Sequence, residues 1–347
     1  MESEESSARR SGSIDDPGED ESSDSPPAVP KVICGRFDVG RMIGSGSYSE
    51  VFAGFDRAAG QKVAIKLEWM KAEKGRKLLS EAKLYKSLGS HGSIPGIRWS
   101  GAEGEYNVMV MDLLGPSLDE LFSTCDRRFS LRTVLLLAGQ MIDCIEFVHS
   151  CGILHRDIKP HNFLMGVGER SERVYIMDFG LAKRFRDFES GEHIPCARKR
   201  GVTGTVRYAS LNVHDGFEPS RRDDLEGIGN VLVHFLRGHL PWQGLKAGSK
   251  RKKHQKIGQC KRETSIEELC RGFPQEFARY FHHCRSLQYA DRPDYGYLRS
   301  LMKDALVREC YQHDLRYDWM LVRAASDSEE DSRGRKRRRR HHLPRLT

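Results

Sequence analysis

The residues from 155 to 162 have the side chains needed for phosphoryl transfer. They read His-Arg-Asp-Ile-Lys-Pro-His-Asn, which places a carboxylate, an ammonium and a carboxamide at Asp157, Lys159 and Asn162. A second carboxylate, Asp178, follows Asn162 by sixteen positions and begins the triplet Asp-Phe-Gly. Moving a γ-phosphoryl group requires an oriented alcohol, bound magnesium and neutralised charge, but little covalent work by the protein. The spacing therefore predicts a site that transfers phosphate from a metal nucleotide.

Each of these side chains has its own expected role. Asp157 would accept or orient the proton of the substrate hydroxyl, and Lys159 would lie against the γ-phosphate. Asn162 and Asp178 would hold Mg²⁺, which prefers oxygen ligands. Pro160 cannot continue a helix and has a fixed φ, which suits a loop that aims three side chains at one point. A charged surface turn is the simpler alternative, but such a turn does not require this whole set of residues.

The chain before this loop is expected to form an antiparallel sheet, because short apolar segments of β type alternate with tight turns. Five strands are predicted, at residues 37–40, 50–55, 62–67, 96–100 and 106–112. Between the first two strands lies Gly44-Ser45-Gly46, where backbone N–H groups can approach nucleotide phosphates. A lone Gly-x-Gly turn, however, is more often an ordinary hairpin.

Lys66 points inward from the third strand if the alternation of side chains holds, and an inward lysine is costly unless it is paired. The following helix offers a partner, Glu81, on the side where Leu78, Ala82, Tyr85 and Leu88 recur at helical spacing. We expect a pair between Lys66 and Glu81 that aims the ammonium at the α- and β-phosphates. The alternative is two solvated surface charges.

Residues 111–115 would connect the sheet to the rest of the chain and leave backbone groups free to bond an adenine. Met111 would lie at the back of that pocket. Ser117 and Glu120 begin the next helix nearby, where they could meet the ribose, although a plain N-cap role is equally consistent for Ser117.

Helices are expected to dominate after this connection. Residues 130–150 predict a long buried helix, capped by Ser130, that would form the floor under the catalytic loop. In Thr203-Gly204-Thr205, the second threonine would reach back to Asp157 and Lys159. A further apolar helix would begin near Arg221 and end at Gly238, and Asp224 within it would hold the backbone of the catalytic loop from below.

Composition divides the chain into three parts. Residues 1–33 are rich in Ser, Asp and Glu and predict a disordered acidic tail, since they cannot bury enough apolar surface to offset the entropy of ordering. Residues 34–322 would form the catalytic domain, with lobes at about 37–112 and 116–322. Residues 323–347 predict a second disordered tail, acidic and then rich in arginine.

The chain has a formal net charge of +8, and much of the positive charge lies in the run from Arg335 to Arg340. Six adjacent cations repel one another, so this run is expected to be unstructured and to act as a nuclear address read by import factors. It could also be only a solubilising tail. Contact with RNA or DNA would be secondary, and we expect a monomer in the nucleus and cytoplasm.

The sequence predicts a soluble intracellular protein. No run of eighteen apolar residues is present, and the acidic N-terminus lacks the basic and apolar regions of a signal peptide. The nine cysteines are scattered, odd in number and never spaced as Cys-x-x-Cys, which argues against disulfides and against a zinc site.

With these residues in hand, the chain resembles the casein kinase 1 family of serine/threonine protein kinases over roughly residues 36–322. The specific likenesses lie in the segments 99–111, 114–118, 193–195, 203–210, 220–226 and 240–246. Where most kinases have Ala-Pro-Glu after the activation loop, this chain has Ala209-Ser210-Leu211-Asn212, similar to the Ser-Ile-Asn of that family.

The resemblance implies an α+β, two-lobed kinase fold, with a small N-terminal lobe of antiparallel sheet and one helix and a larger, mostly helical C-terminal lobe. It also implies an ATP- and Mg²⁺-dependent serine/threonine kinase of acidic or phosphate-primed proteins. Asp157, Lys159, Asn162 and Thr205 would be catalytic, and Asn162 and Asp178 would hold the metal. The nucleotide would contact Ile43, Gly44, Ser45, Gly46, Val51, Ala64, Lys66, Glu81, Met111, Asp112, Leu114, Ser117 and Leu164.

The resemblance further implies an anion pocket, at Arg207, Gly244 and Lys253, for a phosphate three residues before the target residue. Charge-assisted bonds there are worth about 1.5 to 3 kcal/mol each, or roughly a ten- to hundredfold preference for primed substrates. The chain departs from the family at His161, where Asp is usual, and at Ser49, where the usual kinase loop has a third glycine. The segment 196–200 is also more basic than usual.

Two other functions fit parts of the sequence. A pseudokinase scaffold would normally have lost Lys66, Asp157, Asn162 or Asp178, and all four are present. A nuclear protein acting on nucleic acid through its basic tail would be expected to interleave aromatic residues with the cations, and residues 333–342 contain none.

Overall fold

A six-stranded antiparallel sheet with one helix against it forms the N-terminal lobe. The computed structural model describes residues 26–46, 49–71, 77–89, 91–187, 189–198, 201–311 and 316–322. The strands pair in the order β1-β2-β3-β4-β6-β5. Their bounds are β1 Val32–Ile33, β2 Phe37–Ser45, β3 Glu50–Asp56, β4 Gln61–Trp69, β5 Ile97–Glu103 and β6 Tyr106–Asp112, and the helix is α1, Leu78–Leu88.

The two faces of this sheet bury different apolar clusters. Val108 and Val110 of β6 join a cluster on one face, whereas Met109 and Met111 join the larger core that contains α1. β4 divides in the same way, since Val63 and Ile65 belong to the first cluster and Ala64 to the second. Because side chains alternate along a strand, Lys66 lies on the face that carries Ala64 and α1.

The expected five strands and the expected boundary at residue 34 are both corrected by the structure. β1 adds a sixth strand by pairing with β2, and its Ile33 is fully buried. Further upstream, the Tyr106 hydroxyl donates to the carbonyl of Pro27 at 2.6 Å. A strand of two residues is too short to show periodicity, so the sequence pattern missed it. The predictions for the tails otherwise fall on residues 1–25 and 323–347, outside the described part.

The C-terminal lobe is mainly helical. Its helices are α2 Leu118–Thr124, α3 Leu131–Ser150, α4 Leu211–His214, α5 Arg221–Arg237, α6 Lys250–Glu263, α7 Ile266–Leu269, α8 Gln275–Ser286 and α9 Tyr295–Arg308. The central helix α3 packs against α5 and α9, and Ser130 caps it by accepting from Thr133 N, as predicted. α5 ends where expected, at Gly238, whose φ of 85° favours glycine.

Two pairs of short strands hold the loops between these helices. β7 (Ile153–Leu154) pairs with β10 (Lys183–Arg184), and β8 (Phe163–Met165) pairs with β9 (Val174–Ile176). The loop containing Asp157 therefore lies between β7 and β8, and Asp178 follows β9. None of the helices in the described ranges is long and apolar enough to cross a lipid bilayer. All nine cysteines are free thiols.

Candidate active site

The loop between β7 and β8 brings three of the predicted side chains together. The Lys159 ammonium donates to Asp157 Oδ2 at 2.6 Å and lies 3.9 Å from Asp178 Oδ2. The Asn162 amide nitrogen donates to the Asp157 carbonyl at 2.9 Å, which orients the carboxamide. Pro160 begins a single 3₁₀ turn that ends at Asn162, so a short rigid turn separates the lysine from the asparagine.

Thr205 completes the surroundings of Asp157. Its backbone N–H and its hydroxyl both donate to Asp157 Oδ1, at 2.8 and 2.7 Å. The sequence predicted contacts of Thr205 with Asp157 and Lys159; in the structure it bonds Asp157, whose other oxygen holds Lys159. Burial raises the pKa of Asp157, but the bonds from Lys159 and Thr205 lower it more, and the net pKa is below its usual value.

The approach of Thr205 depends on its neighbour Gly204. Gly204 has a φ of +80°, and a Cβ at this position would lie 2.3 Å from the Arg156 carbonyl oxygen. Only glycine allows the two loops to come this close.

Two residues of the site have unusual backbone conformations that the surrounding structure stabilises. Arg156 and Asp178 have φ values of 66° and 68°, in the region that favours glycine. The Asp224 carboxylate accepts from the N–H groups of His155 and Arg156, both at 2.8 Å, as the sequence predicted. The Asp178 N–H donates to the Tyr85 hydroxyl at 2.9 Å. Strain of this kind is common at functional sites.

Aromatic side chains connect the catalytic loop to helix α1. The Phe179 ring lies edge-on between Tyr85 and His155, with centroid distances of 4.9 and 5.2 Å. His155 in turn bonds the Met177 carbonyl through Nε2 at 3.0 Å. A displacement of α1 would therefore change the position of the Asp178 segment.

The expected pair between Lys66 and Glu81 is present, with an N–O distance of 2.9 Å. Burial opposes the charge on Lys66, but the charges of Glu81 and Asp178 outweigh it and raise the pKa of this lysine. The ammonium is therefore held in its charged form at the back of the interlobe cleft, which excludes the alternative of two solvated surface charges.

The cleft between the lobes has a volume of about 400 Å³. Eight of the thirteen residues predicted to bind the nucleotide line it, namely Ile43, Val51, Ala64, Lys66, Met111, Asp112, Leu114 and Leu164. The sequence interpretation placed Leu113 and Gly115 in the connector without naming them among the nucleotide contacts, and it did not place Arg41, Ala53, Pro116 or Met177 in the cleft. Most of the missed residues flank predicted ones, so they follow from the same strands and connector.

The connector between the lobes presents backbone groups to the cleft. The Asp112 N–H donates to the Gly96 carbonyl at 3.0 Å, and the Asp112 carboxylate bonds Gly96 N and Arg98. The N–H and the carboxylate of Asp112 are therefore already bonded within the small lobe. Among the described residues, the N–H of Leu114 has no hydrogen-bond partner, so it can donate to a ligand.

Ser117 is a helix cap and does not line the cleft. Its side chain accepts from Glu120 N at 3.2 Å, and Glu120 Oε2 accepts from Ser117 N at 2.8 Å, which forms a capping box at α2. Of the two roles open to Ser117, the structure supports the cap and corrects its assignment to the nucleotide set. Glu120 does line the cleft.

The glycine-containing turn lies at the end of β2, outside the residues that line the cleft. A Cβ on Gly44 would meet Val51 at 3.7 Å and one on Gly46 would meet Ser49 at 3.5 Å, which are ordinary contacts. The fold itself does not require glycine at either position. Two glycines with no internal cause fit a turn that a phosphate approaches closely.

A second pocket, of about 600 Å³, adjoins the catalytic loop. It brings together Arg207, Gly244 and Lys253, the three residues predicted to bind an anion, with Lys159 and Thr205 of the site. The sequence interpretation did not assign His161, Lys250 or His254 to it. No carboxylate is among its described lining residues, and several cations are, so the pocket suits an anion.

A buried carboxylate that the sequence interpretation missed holds the segment after Asp178. Glu218 Oε1 accepts from Arg156 at 3.0 Å and from Lys183 at 3.1 Å. The Arg156 Nε also donates to the Leu181 carbonyl at 2.7 Å. The arginine of the catalytic loop is thus neutralised by a carboxylate of the chain itself. Lys199 and Arg200 of the basic segment 196–200 lie outside the described residues.

The residues predicted to hold magnesium fit that ion. Asn162 and Asp178 offer hard oxygen atoms, and the side chain of Asp178 is partly exposed. The described residues contain no cluster of three His, Cys, Asp or Glu that could hold a metal ion. A site with two protein ligands agrees with magnesium, which is usually bound by one or two side chains together with substrate phosphates and water.

Residues 37–312 match the model of the protein kinase domain. The match spans well over half of the chain and includes Lys66, the catalytic loop, Asp178 and both pockets.

Proposed function

Because this chain belongs to the protein kinase family, we propose that it phosphorylates serine and threonine in acidic or phosphate-primed proteins, as the casein kinase 1 family does. ATP would be the phosphoryl donor and Mg²⁺ the cofactor. Lys66 lines the cleft, and Asp157, Asn162 and Asp178 are grouped around Lys159 on the catalytic loop. The presence of all four argues against a pseudokinase scaffold, which would normally have lost at least one of them.

The side chains divide the work as the geometry allows. Asp157 is ionised and would orient the substrate hydroxyl, while Lys159 beside it would stabilise charge on the transferred phosphoryl group. Lys66 would hold the α- and β-phosphates, and the backbone of residues 112–114 would bind the adenine. Bound Mg²⁺, held by Asn162 and Asp178, would neutralise charge on the phosphate oxygens.

The observation that carries the proposed substrate class is that the anion pocket extends to the residues that contact Asp157. Lys159 and Thr205, which contact Asp157, line the same pocket as Arg207 and Lys253. A peptide whose hydroxyl reaches Asp157 can therefore place an upstream phosphate or carboxylate among the cations. Arginine and lysine bind such anions through charge-assisted hydrogen bonds.

A set of matched peptides tests this proposal. The purified chain with ATP and Mg²⁺ is assayed on peptides whose acceptor is serine, threonine or tyrosine, each with and without phosphoserine three residues upstream. We expect transfer to serine and threonine but not tyrosine, with kcat/KM roughly ten- to hundredfold higher for the primed forms. Equal rates on the primed and unprimed peptides would refute the substrate class, and transfer to tyrosine alone would refute the acceptor specificity.

Lys253→Glu should remove the preference for primed peptides, because it places a negative charge in the anion pocket. We expect kcat/KM to fall at least tenfold on the primed serine peptide and to change little on the unprimed one. Lys252→Glu is the matched control, since Lys252 is the exposed neighbour on α6 and does not line the pocket. A similar loss in both variants would indicate long-range electrostatics in place of a specific pocket.

The chain's location and binding partners belong to the same proposal. The arginine run at 335–340 would be read by nuclear import factors, and the kinase would act as a monomer in the nucleus and cytoplasm. Any contact with nucleic acid through this run would accompany the kinase activity without replacing it. Cell imaging of the full chain against a variant with Ala at 335–340 tests the nuclear address.

A further inference from the structure

Lys261, in the last turn of α6, holds the backbone of residues 206–209, a segment that forms part of the wall of the anion pocket. Its ammonium donates to the carbonyl of Val206 at 3.0 Å and to that of Ala209 at 2.5 Å. Both carbonyls belong to the segment 206–209, which lies between Thr205 and helix α4. The segment has no helix or strand of its own, so donors from elsewhere must satisfy its carbonyl groups.

The two remaining carbonyls of the segment 206–209 are also held by buried side chains. Trp242 Nε1 donates to the Arg207 carbonyl at 2.8 Å, and Asn230 Nδ2 donates to the Tyr208 carbonyl at 3.0 Å. All four consecutive carbonyls therefore accept hydrogen bonds from side chains of the large lobe. This arrangement leaves the side chain of Arg207 on the pocket wall.

The surroundings of Lys261 give its ammonium no ion pair with any described carboxylate. The residue is 2% exposed, and Nζ lies 4.9 Å from the centre of the Trp242 ring. The charged and titratable groups nearby are Glu226 on α5, Arg285 on α8 and the adjacent Cys260, and Arg285 bonds Glu226. The charge of Lys261 also lowers the pKa of His214 on α4.

Burial lowers the pKa of Lys261 to about 7. Burying a charged lysine costs free energy, and the hydrogen bonds to the two carbonyls offset part of that cost.

We propose that Lys261 is a positioning residue for the peptide substrate. By fixing the carbonyls of Val206 and Ala209, it sets the backbone of Arg207, and so the place of the guanidinium in the anion pocket. The inference rests on the proposed function, since it assigns Lys261 to the binding of the primed peptide. Lys261 touches neither the nucleotide cleft nor Asp157, so its effect should appear in peptide binding.

Lys261→Met tests this role, because methionine keeps an unbranched apolar side chain and removes the donor. We expect KM for the primed serine peptide to rise about tenfold, while kcat and KM for ATP change less than about threefold. KM for the unprimed peptide should rise less, since it does not use Arg207. Lys256→Met is the control: Lys256 is on the same helix and donates to the exposed Lys246 carbonyl, outside the pocket.

Trp242→Phe provides an independent second variant if Lys261→Met folds poorly. It removes the donor to the Arg207 carbonyl and keeps an aromatic ring, and we expect the same selective rise in KM for the primed peptide. An unchanged KM for this peptide in both variants would overturn the inference, and so would an equal loss of peptide and ATP affinity. A wild-type chain that phosphorylates no peptide would instead refute the proposed function.

Discussion

The carboxylate of Asp157 is buried and yet accepts three hydrogen bonds, two from Thr205 and one from Lys159. Burial alone would favour the neutral acid, whereas these donors favour the carboxylate. The effect of the donors is the larger of the two, so the pKa of Asp157 is lowered. An ionised carboxylate can orient the substrate hydroxyl at neutral pH without first losing a proton. Its two oxygens are also fixed in direction, so the orientation is set before the substrate binds.

Asp157→Asn should therefore lower kcat on the primed serine peptide by about a hundredfold or more, the usual size of such losses. The amide keeps the shape of the side chain but loses the charge that accepts or orients the hydroxyl proton. Initial rates at saturating ATP and peptide measure the effect. Asp304→Asn, on the exposed face of α9, is the control. A kcat within a fewfold of wild type would contradict the role assigned to Asp157.

Residues that follow one another within a loop were the easiest to predict. Asp157 and Asn162 are five positions apart and Lys159 lies between them, so one stretch of backbone with one proline largely fixes the relative positions of the three side chains. Lys261 and Val206 are 55 positions apart, and Glu218 is 62 positions from Arg156. No periodic pattern reports such contacts, because they arise only when separate helices and loops pack together.

Helix α1 links the small lobe to the metal-binding segment through two residues one turn apart. Glu81 pairs with Lys66, and Tyr85 bonds the N–H of Asp178 and packs against Phe179. Residues at i and i+4 share one face of a helix, so the placement of α1 as a whole sets both contacts. The hydrogen bond matters because Asp178 has a positive φ that the bare chain disfavours.

Tyr85→Phe removes this hydrogen bond and keeps the ring contact with Phe179. We expect kcat to fall roughly five- to twentyfold, equivalent to about 1 to 2 kcal/mol for a hydrogen bond that restrains a strained residue. The Mg²⁺ concentration for half-maximal rate should also rise. Tyr106→Phe is the matched control, since it loses a similar bond, to Pro27, far from the site. Equal effects of the two substitutions would show a loss of stability only.

The sheet shows how far sequence pattern reached at the scale of elements. β3, β4 and β6 were predicted nearly at their observed bounds because apolar residues dominate them. β1 was missed because it has only two residues and its Ile33 is stabilised by long-range packing, in a cluster with Phe37, Val63 and Tyr106. Ser117 was ambiguous for a related reason: its type fits a cap and a ligand equally, and only the geometry of Glu120 decides between them.

Across the whole molecule, several histidines are kept neutral by burial. Burial lowers the pKa of His214 to about 3 and that of His234 to about 4, and the pKa of His149 is lowered as well. His149 bonds Asp224 at 3.0 Å and Tyr295 at 2.7 Å, which ties the support of the catalytic loop to α9. Protonation of these rings in the folded state would place charges in the core of the large lobe.

The free energy of unfolding should therefore fall with pH below about 6.5, the pKa of histidine in an unfolded chain. In that range the unfolded chain binds protons that the folded one does not, so each neutral ring lowers stability by up to about 1.4 kcal/mol per pH unit. For His234 the decline continues until its folded pKa, about 4. Urea unfolding from pH 7.5 down to about pH 4.5 measures the slope.

His234→Gln removes one of the titrating rings, so its stability should decline less steeply with falling pH than that of the wild type. The comparison uses the slope and not the absolute stability, because the substitution also alters the bond between His234 and the Tyr208 hydroxyl at 2.8 Å. If His234→Gln has the wild-type slope, His234 is already protonated in the folded lobe, and the stability lost in acid comes from other groups.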